Sequence, residues 1–295
     1  MKAKNPRKKR IECFDIVNYI LMTVFLMICL YPIFFTIARS MSSGVAINNG
    51  DVFLWPVGFN LDSYIGIMDH PNFLRSYINT SIYTVLGTLF TLIITALVAY
   101  PLSKLWLTCR KAFMIPFIIT MFFAGGLIPN FILISRLGLL NSLWAIVLPI
   151  SFNHFFIILA MGAMQAIPTA LEEAAAIDGL NSWQILFYII LPLSKPVFIT
   201  IGLFTALNIW NEWFTPMIYL HSNDKLPIML VLRNIITGGD VTTANFATVT
   251  GPNVNVNSAS LKSAAIILAM LPIAVIFPFA QKFFAKGAVV GSLKG

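Results

Sequence analysis

The chain has 295 residues, 58% of them hydrophobic and 10% charged, with a mean hydropathy of +0.86 and a net charge of +8. A water-soluble domain of this length has too little interior to hide so much apolar side chain, whereas hydrocarbon solvates it directly and leaves only backbone polar groups to be satisfied. A soluble fold is excluded, and the uninterrupted apolar runs select helices over a closed barrel. The positive charge does not point to nucleic acid, because Lys2, Lys4, Arg7, Lys8, Lys9 and Arg10 crowd one short tail beside an apolar segment, as in a positive-inside membrane anchor.

In chain order, residues 1–14 read as a basic cytoplasmic tail and residues 15–38 as a first transmembrane helix. Ile16 to Ala38 carries no charge over 23 residues. That is longer than the roughly 7–15 residues of a signal-peptide core and enough to cross about 30 Å of hydrocarbon. Residues 39–75 are predicted to form an external loop containing Trp55, Pro56 and Tyr64. Residues 76–284 form the predicted membrane core, with charge-poor segments at Ser76 to Ser103, Ala112 to Ser135, Leu143 to Gln165, Pro196 to Tyr219 and Ser263 to Gln281. The second of these five is interrupted by Pro116, Gly125, Gly126 and Pro129, which predicts kinks or a re-entrant turn; the fourth carries one charge, Glu212. Within the core lie an internal loop, 166–195, and an external loop, 220–262, whose Gly, Asn, Thr and Ser-rich part includes GPNVNVNSAS; residues 285–295 close the chain as a cytoplasmic tail.

With the first helix, six crossings place both termini on one side. The basic tail, Lys104, Arg110, Lys111, Lys195, Lys282, Lys286 and Lys294 then gather most of the 19 basic residues inside, leaving Arg39, Arg75, Arg136, Lys225, Arg233 and Lys262 outside. That bias predicts cytoplasmic amino and carboxyl termini. Cys13, Cys29 and Cys109 are scattered and read as small apolar residues, not as a disulfide framework or a ligand set. His154 has no second ligand near it in sequence and reads as a packing residue, so no metal site is predicted.

The internal loop reads IPTALEEAAAIDGLNSWQILFYIILPLSKP. Thr169 and Glu172 have capping-box spacing, and acids at Glu172 and Glu173 after Pro168 favour a helix start. This helix is predicted to stop near Asp178 and Gly179; Asn181 or Ser182 can cap a second one that carries Trp183, Ile185, Leu186, Phe187, Tyr188 and Ile189 before Pro192 and Pro196 interrupt it. Small side chains at Ala174, Ala175 and Ala176, with Leu171 and Ile177 as apolar anchors, suit a knob that docks into a groove. Periodicity alone equally allows an amphipathic helix lying on the membrane surface.

Glu173, Ala174, Ala175, Gly179, Ile189, Leu191 and Pro192 match in spacing the EAA motif of ATP-binding-cassette (ABC) importer permeases, and the chain resembles that family. From about Tyr77 onward it is similar to the carbohydrate-uptake branch, which contains the smaller permease of the maltose importer. The matching stretches are Asn79 and Thr80, FFAGGLIPN at Phe122 to Asn130, WNEWF at Trp210 to Phe214, and Phe279, Gln281, Lys282, Phe283 and Phe284 with Gly287, Gly291, Lys294 and Gly295. The GGLIP and WNEWF forms look like importers of polysaccharide fragments, including an alginate importer.

The resemblance implies an all-α polytopic fold of six transmembrane helices with a cytoplasmic coupling helix pair, the transmembrane domain of a type I ABC importer in a bacterial or archaeal cell membrane. It implies coupling residues Glu172, Glu173, Ala174, Ala175, Asp178, Gly179, Leu191 and Pro192. Its implied partners are a second homologous permease, two ATPase subunits, and an extracellular or periplasmic sugar-binding protein touching the 222–262 loop, as the corresponding loop of the maltose permease helps displace sugar. No G-x-x-x-x-G-K-[ST] loop occurs, so ATP and Mg are expected on the ATPase subunits, and no cofactor or catalytic residue on this chain.

A sugar pathway needs aromatic faces and hydroxyl-binding amides or acids, which Trp210, Asn211, Glu212 and Trp213 offer; Asn208, Asn153 and Phe122 are further candidates. An acid within a span costs about 2.5–3.5 kcal/mol on insertion scales, so Glu212 is expected to face a cavity or a partner. The two tryptophans equally suit an interfacial aromatic belt. The remaining alternatives are an ABC permease for a non-sugar solute, an ion-coupled transporter, which usually carries paired intramembrane charges, and a membrane enzyme, for which no H-E-x-x-H or G-x-S-x-G occurs.

Overall fold

The computed structural model describes residues 13–69, 72–123, 125–237 and 257–292. The basic tail through Arg10, the 238–256 part of the external loop, and the closing Lys294 and Gly295 lie outside the described residues. In chain order the helices are α1 (Cys13–Ser40), α2 (Gly44–Asn49), α3 (Asp62–Met68), α4 (Phe73–Ser103), α5 (Arg110–Phe122), α6 (Leu127–Arg136), α7 (Trp144–Ser151), α8 (His154–Gln165), α9 (Thr169–Ile177), α10 (Ser182–Leu193), α11 (Lys195–Asn211), α12 (Phe214–Tyr219), α13 (Ile228–Thr237) and α14 (Ser258–Ser292). Three helical stretches are long and apolar enough to cross a membrane alone: Phe14–Ser40, Phe73–Ser103 and Ser258–Ile276. Three bent pairs pass the same test when each is taken as one span: α5 with α6 at 115°, α7 with α8 at 44°, and α10 with α11 at 79°.

The breaks have local causes. Pro116 sits inside α5 without ending it, and the chain turns instead before Gly126, whose φ of +85° an L side chain rarely adopts. The apolar run from Leu143 to Gln165 breaks at Phe152 and Asn153, where the Asn153 side chain accepts a hydrogen bond from the Phe156 amide at 3.1 Å and starts α8. In α10 residues Leu186–Ile190 are π-helical, and the Leu191 amide bonds back to the Leu186 carbonyl. Widening one turn just ahead of Pro192, which has no amide to donate, lets the helix run on, so the interruption expected at Pro192 falls at Ser194. The segment expected from Pro196 to Tyr219 is likewise two helices, α11 and α12, parted at Glu212 and Trp213.

Contacts divide the chain into two compact units. In the first, the segment after α1 is folded, not an open loop. The Ser43 side chain caps α2, Ser40 Oγ and the Tyr64 hydroxyl lie 2.7 Å apart, and Asn257 donates to Asn48 Oδ1 at 2.6 Å. The Ser63 hydroxyl donates to Ser260 at 2.8 Å, so polar pairs hold this segment against the start of α14.

The second unit is built around α4, against which α7, α8 and α11 pack. Gly87 leaves room for Ile209 of α11: a Cβ there would stand 2.5 Å from Ile209 Cδ1, which would have to turn aside. One apolar cluster joins Ala99 and Leu102 of α4, Phe156, Ile157, Ala160 and Met161 of α8, and Ala175, Ile185, Leu186 and Ile190 of α9 and α10. At the other end Tyr83, Ile134, Ala145, Ile146, Ile209, Tyr219 and Leu220 form a second cluster.

Candidate functional site

The predicted coupling residues form one compact helix-turn-helix. Helix α9 ends in a glycine turn: Gly179 has φ +86°, and the Asp178, Gly179 and Leu180 amides return to the carbonyls of Ala174, Ala176 and Ala175 at 3.0–3.1 Å. Asn181 then starts α10 with a full capping box, its side chain accepting from the Gln184 amide while Gln184 accepts from the Asn181 amide. Of the two expected candidates, Asn181 and not Ser182 is the cap.

The capping box expected between Thr169 and Glu172 does not form. Pro168 occupies the cap position without a side-chain bond, and Glu172 is drawn elsewhere. Its carboxylate receives both contacts of the Lys104 ammonium, with Oε2 at 2.6 Å. Lys104 follows α4 and lies over the Tyr100 ring at 4.5 Å. Exposure of the two side chains is only 9% and 17%, so this ion pair ties the first turn of α9 to the end of α4 largely away from solvent. Sequence reading missed Lys104; the signal was a lone basic residue after an apolar span, which taken alone marks only topology.

One side of α9 is anchored and the other is bare. Ala175 packs into the α4 and α8 cluster, while Leu171, Glu173, Ala174, Ala176, Ile177, Asp178 and Gly179 are exposed, Ile177 at 87%. Leu191 is half-buried and Pro192 exposed. Two cavities flank the pair: one of about 310 Å³ bounded by Tyr100, Lys104, Trp106, Trp183 and Leu186, and one of about 260 Å³ bounded by Lys104, Trp106, Gln165, Glu172 and Glu173.

The predicted pathway residues separate. Trp210 is 7% exposed, donates its indole N–H to the Ala269 carbonyl at 3.1 Å and meets the Tyr77 ring edge-on at 5.6 Å, so it packs within this chain. Glu212 turns its Oε1 to the Phe214 and Thr215 amides, both at 2.9 Å, and starts α12. Asn153 is spent as the α8 cap, and Phe122 is exposed at the end of α5, away from the α11 residues in the chain. Phe204, Asn208 and Asn211 occupy successive turns on the exposed face of α11 and lead to Trp213, over whose ring Arg233 lies at 4.5 Å. His154 is a packing residue, between the rings of Phe117 and Phe152 with Nε2 2.9 Å from the Thr120 hydroxyl. Among the described residues no group of His, Cys, Asp and Glu is placed to hold a metal.

At the opposite end of α4 the segment after α12 is laced down. Asn79 donates to the Asp224 and Leu226 carbonyls, the Tyr83 hydroxyl to the Lys225 carbonyl at 2.8 Å, and the Ile228 amide to Thr80 Oγ1 at 2.7 Å. Asn141 receives the His221 and Ser222 amides and donates to Ser222 Oγ at 2.7 Å.

Apolar spans, an amide-bearing stripe and an exposed helix-turn-helix rooted in the span core define a membrane transport subunit. The chain belongs to the family of binding-protein-dependent transport system inner membrane components, whose model matches residues 107–289, including both the helix pair and the α11 stripe. It is therefore the permease component of an ABC importer, with the type I fold. Similar proteins include Protein LplC of Bacillus subtilis (strain 168), 37% identical over 96% of this chain and 95% of that protein. A polygalacturonan/rhamnogalacturonan transport system permease protein, YtcP, of the same organism is 37% identical over 96% of this chain and 98% of that protein. Among solved structures, the crystal structure of a bacterial ABC transporter involved in the import of the acidic polysaccharide alginate contains a chain 34% identical, with a TM-score of 0.87 over 96% of this chain and 100% of that one.

Proposed function

We propose that this chain forms half of the translocation pathway of an importer for oligosaccharides released from a polysaccharide, and that the exposed face of α9 seats on a partner ATPase. Two ATPase subunits carry ATP and Mg, a second homologous permease completes the pathway, and a sugar-binding protein delivers substrate to the side opposite α9. Both termini lie in the cytoplasm. The observation that carries this reading is the two-sidedness of α9: its buried Ala175 and the Lys104–Glu172 pair root it in the span core, while Glu173, Ala174, Ile177 and Gly179 are left for another surface. A rooted knob transmits displacement, whereas a helix merely resting on lipid does not. The sugar assignment draws on the permeases of polygalacturonan and alginate importers to which the chain is similar.

A ligand shifts a conformational equilibrium only through differential affinity, so loaded binding protein and ATP must both favour the outward-open state. The test is site-directed cross-linking from Ile177→Cys in the assembled complex. Nucleotide-dependent cross-links to an ATPase subunit are expected; labelling of the introduced thiol from outside intact cells, or cross-links to lipid alone, refutes the reading.

A further inference from the structure

We propose that the end of α11 carries a carboxylate-reading sugar subsite, with Arg233 as the anion ligand and Trp213 as the ring platform, so that the imported oligosaccharide is acidic. This rests on the oligosaccharide-importer reading and narrows its substrate class.

The Arg233 guanidinium lies 4.5 Å from the centre of the Trp213 ring. A guanidinium over an indole can still offer N–H groups to an anion, and its fork matches a carboxylate bidentately. Among the described residues the ion pairs are Arg75–Asp224 and Lys104–Glu172, so no described carboxylate reaches Arg233. Glu212, the acid that precedes Trp213 in sequence, is engaged instead by the Phe214 and Thr215 amides. Arg233 is half-buried on α13, which packs Ile228, Leu230, Val231, Leu232 and Ile235 inward, and its guanidinium rests on the Trp213 ring.

The surroundings are those of a sugar track. Trp213 retains 37% exposure, and the α11 face below it presents Asn211, Asn208 and Phe204 on successive turns, two amides and an apolar ring, with Asn211 Nδ2 donating to the Leu207 carbonyl at 2.8 Å. A neutral sugar gives no return for a guanidinium that no described carboxylate reaches, whereas a uronate places a carboxylate beside its pyranose ring and engages cation and indole together. Two of the similar proteins handle polymers of this kind, polygalacturonan and the acidic polysaccharide alginate.

The experiment uses the complete transporter in proteoliposomes, with binding protein, and reads sugar-stimulated ATPase and uptake. The probes are trimers of galacturonate, mannuronate and guluronate, each beside its fully methyl-esterified neutral form. In the wild type an acid trimer is expected to stimulate at least tenfold better than its ester. Arg233→Gln and Trp213→Ala should each lower that ratio at least tenfold, and Arg233→Lys, which keeps the charge but not the fork, should recover part of it. The binding protein is constant across the arms, so a change in ratio belongs to the permease. An unchanged ratio in Arg233→Gln overturns the subsite, as does an equal fall for acid and ester, which assigns Arg233 to docking the binding protein. Stimulation by neutral oligosaccharides alone overturns the subsite but leaves the oligosaccharide reading intact; stimulation by no sugar overturns both.

Discussion

Replacing Glu172 with Gln removes the carboxylate from a pair in which Lys104 retains 9% side-chain exposure and Glu172 17%. Removing one partner of a buried ion pair costs about 3–5 kcal/mol, because the other charge stays desolvated. The Tyr100 face, 4.5 Å from the ammonium, compensates with roughly 0.5–2 kcal/mol. The net spans roughly 1–4.5 kcal/mol, with its middle at about 2–3 kcal/mol. Ala175 is otherwise the buried residue of α9, so the loss falls on α9 docking and not on the whole fold. At about 1.4 kcal/mol per factor of ten, α9 should open roughly 30- to 140-fold more often. Amide hydrogen exchange on the purified permease reads this directly as faster exchange in residues 171–178 with α4 unchanged. The double exchange Lys104→Glu with Glu172→Lys should return most of the protection. Wild-type exchange rates in Glu172→Gln would falsify the view that this pair holds α9 in place.

Other expectations follow from single positions. Gly179→Asp puts an L side chain at φ +86° on the exposed turn; membrane insertion should persist while ATPase subunits no longer co-purify, and wild-type transport would count against docking at that turn. Gly87→Leu drives a side chain into Ile209 and should destabilise the α4–α11 contact by about 1–3 kcal/mol, measured as a lower melting temperature in detergent, with Gly87→Ala milder. Asn141→Ala removes the side-chain bonds to His221 and Ser222 and places alanine at φ +56°; the cost of about 1–3 kcal/mol should appear as faster exchange in residues 219–225. Deleting residues 238–256 should leave membrane expression unchanged but weaken stimulation by the binding protein; full stimulation would remove that loop from the contact.

What the sequence by itself determined rests on short-range physics. Apolar runs without charge report lipid-crossing length, and Pro168, Gly179 and Asn181 delimit a helix-turn-helix because caps and left-handed turns are chosen by residues within four positions of one another. The spacing from Glu173 to Pro192 was enough to mark the α9–α10 pair. Tertiary structure alone decided the rest. Glu172, three residues from Thr169 and suited to cap its own helix, serves Lys104 instead, 68 residues away, because a desolvated ammonium binds a carboxylate more strongly than a solvated backbone amide does. Trp210 and Trp213 are chemically alike and three residues apart, yet Trp210 lies in the last turn of α11, buried against Tyr77 and the α14 backbone, while Trp213 falls in the break before α12, beside Arg233. Nor does hydropathy distinguish Asn153 as a helix cap from Asn208 as an exposed amide, since both interrupt apolar runs equally. A side chain's role here depends on which distant group reaches it first, and that distance exists only once the spans have packed.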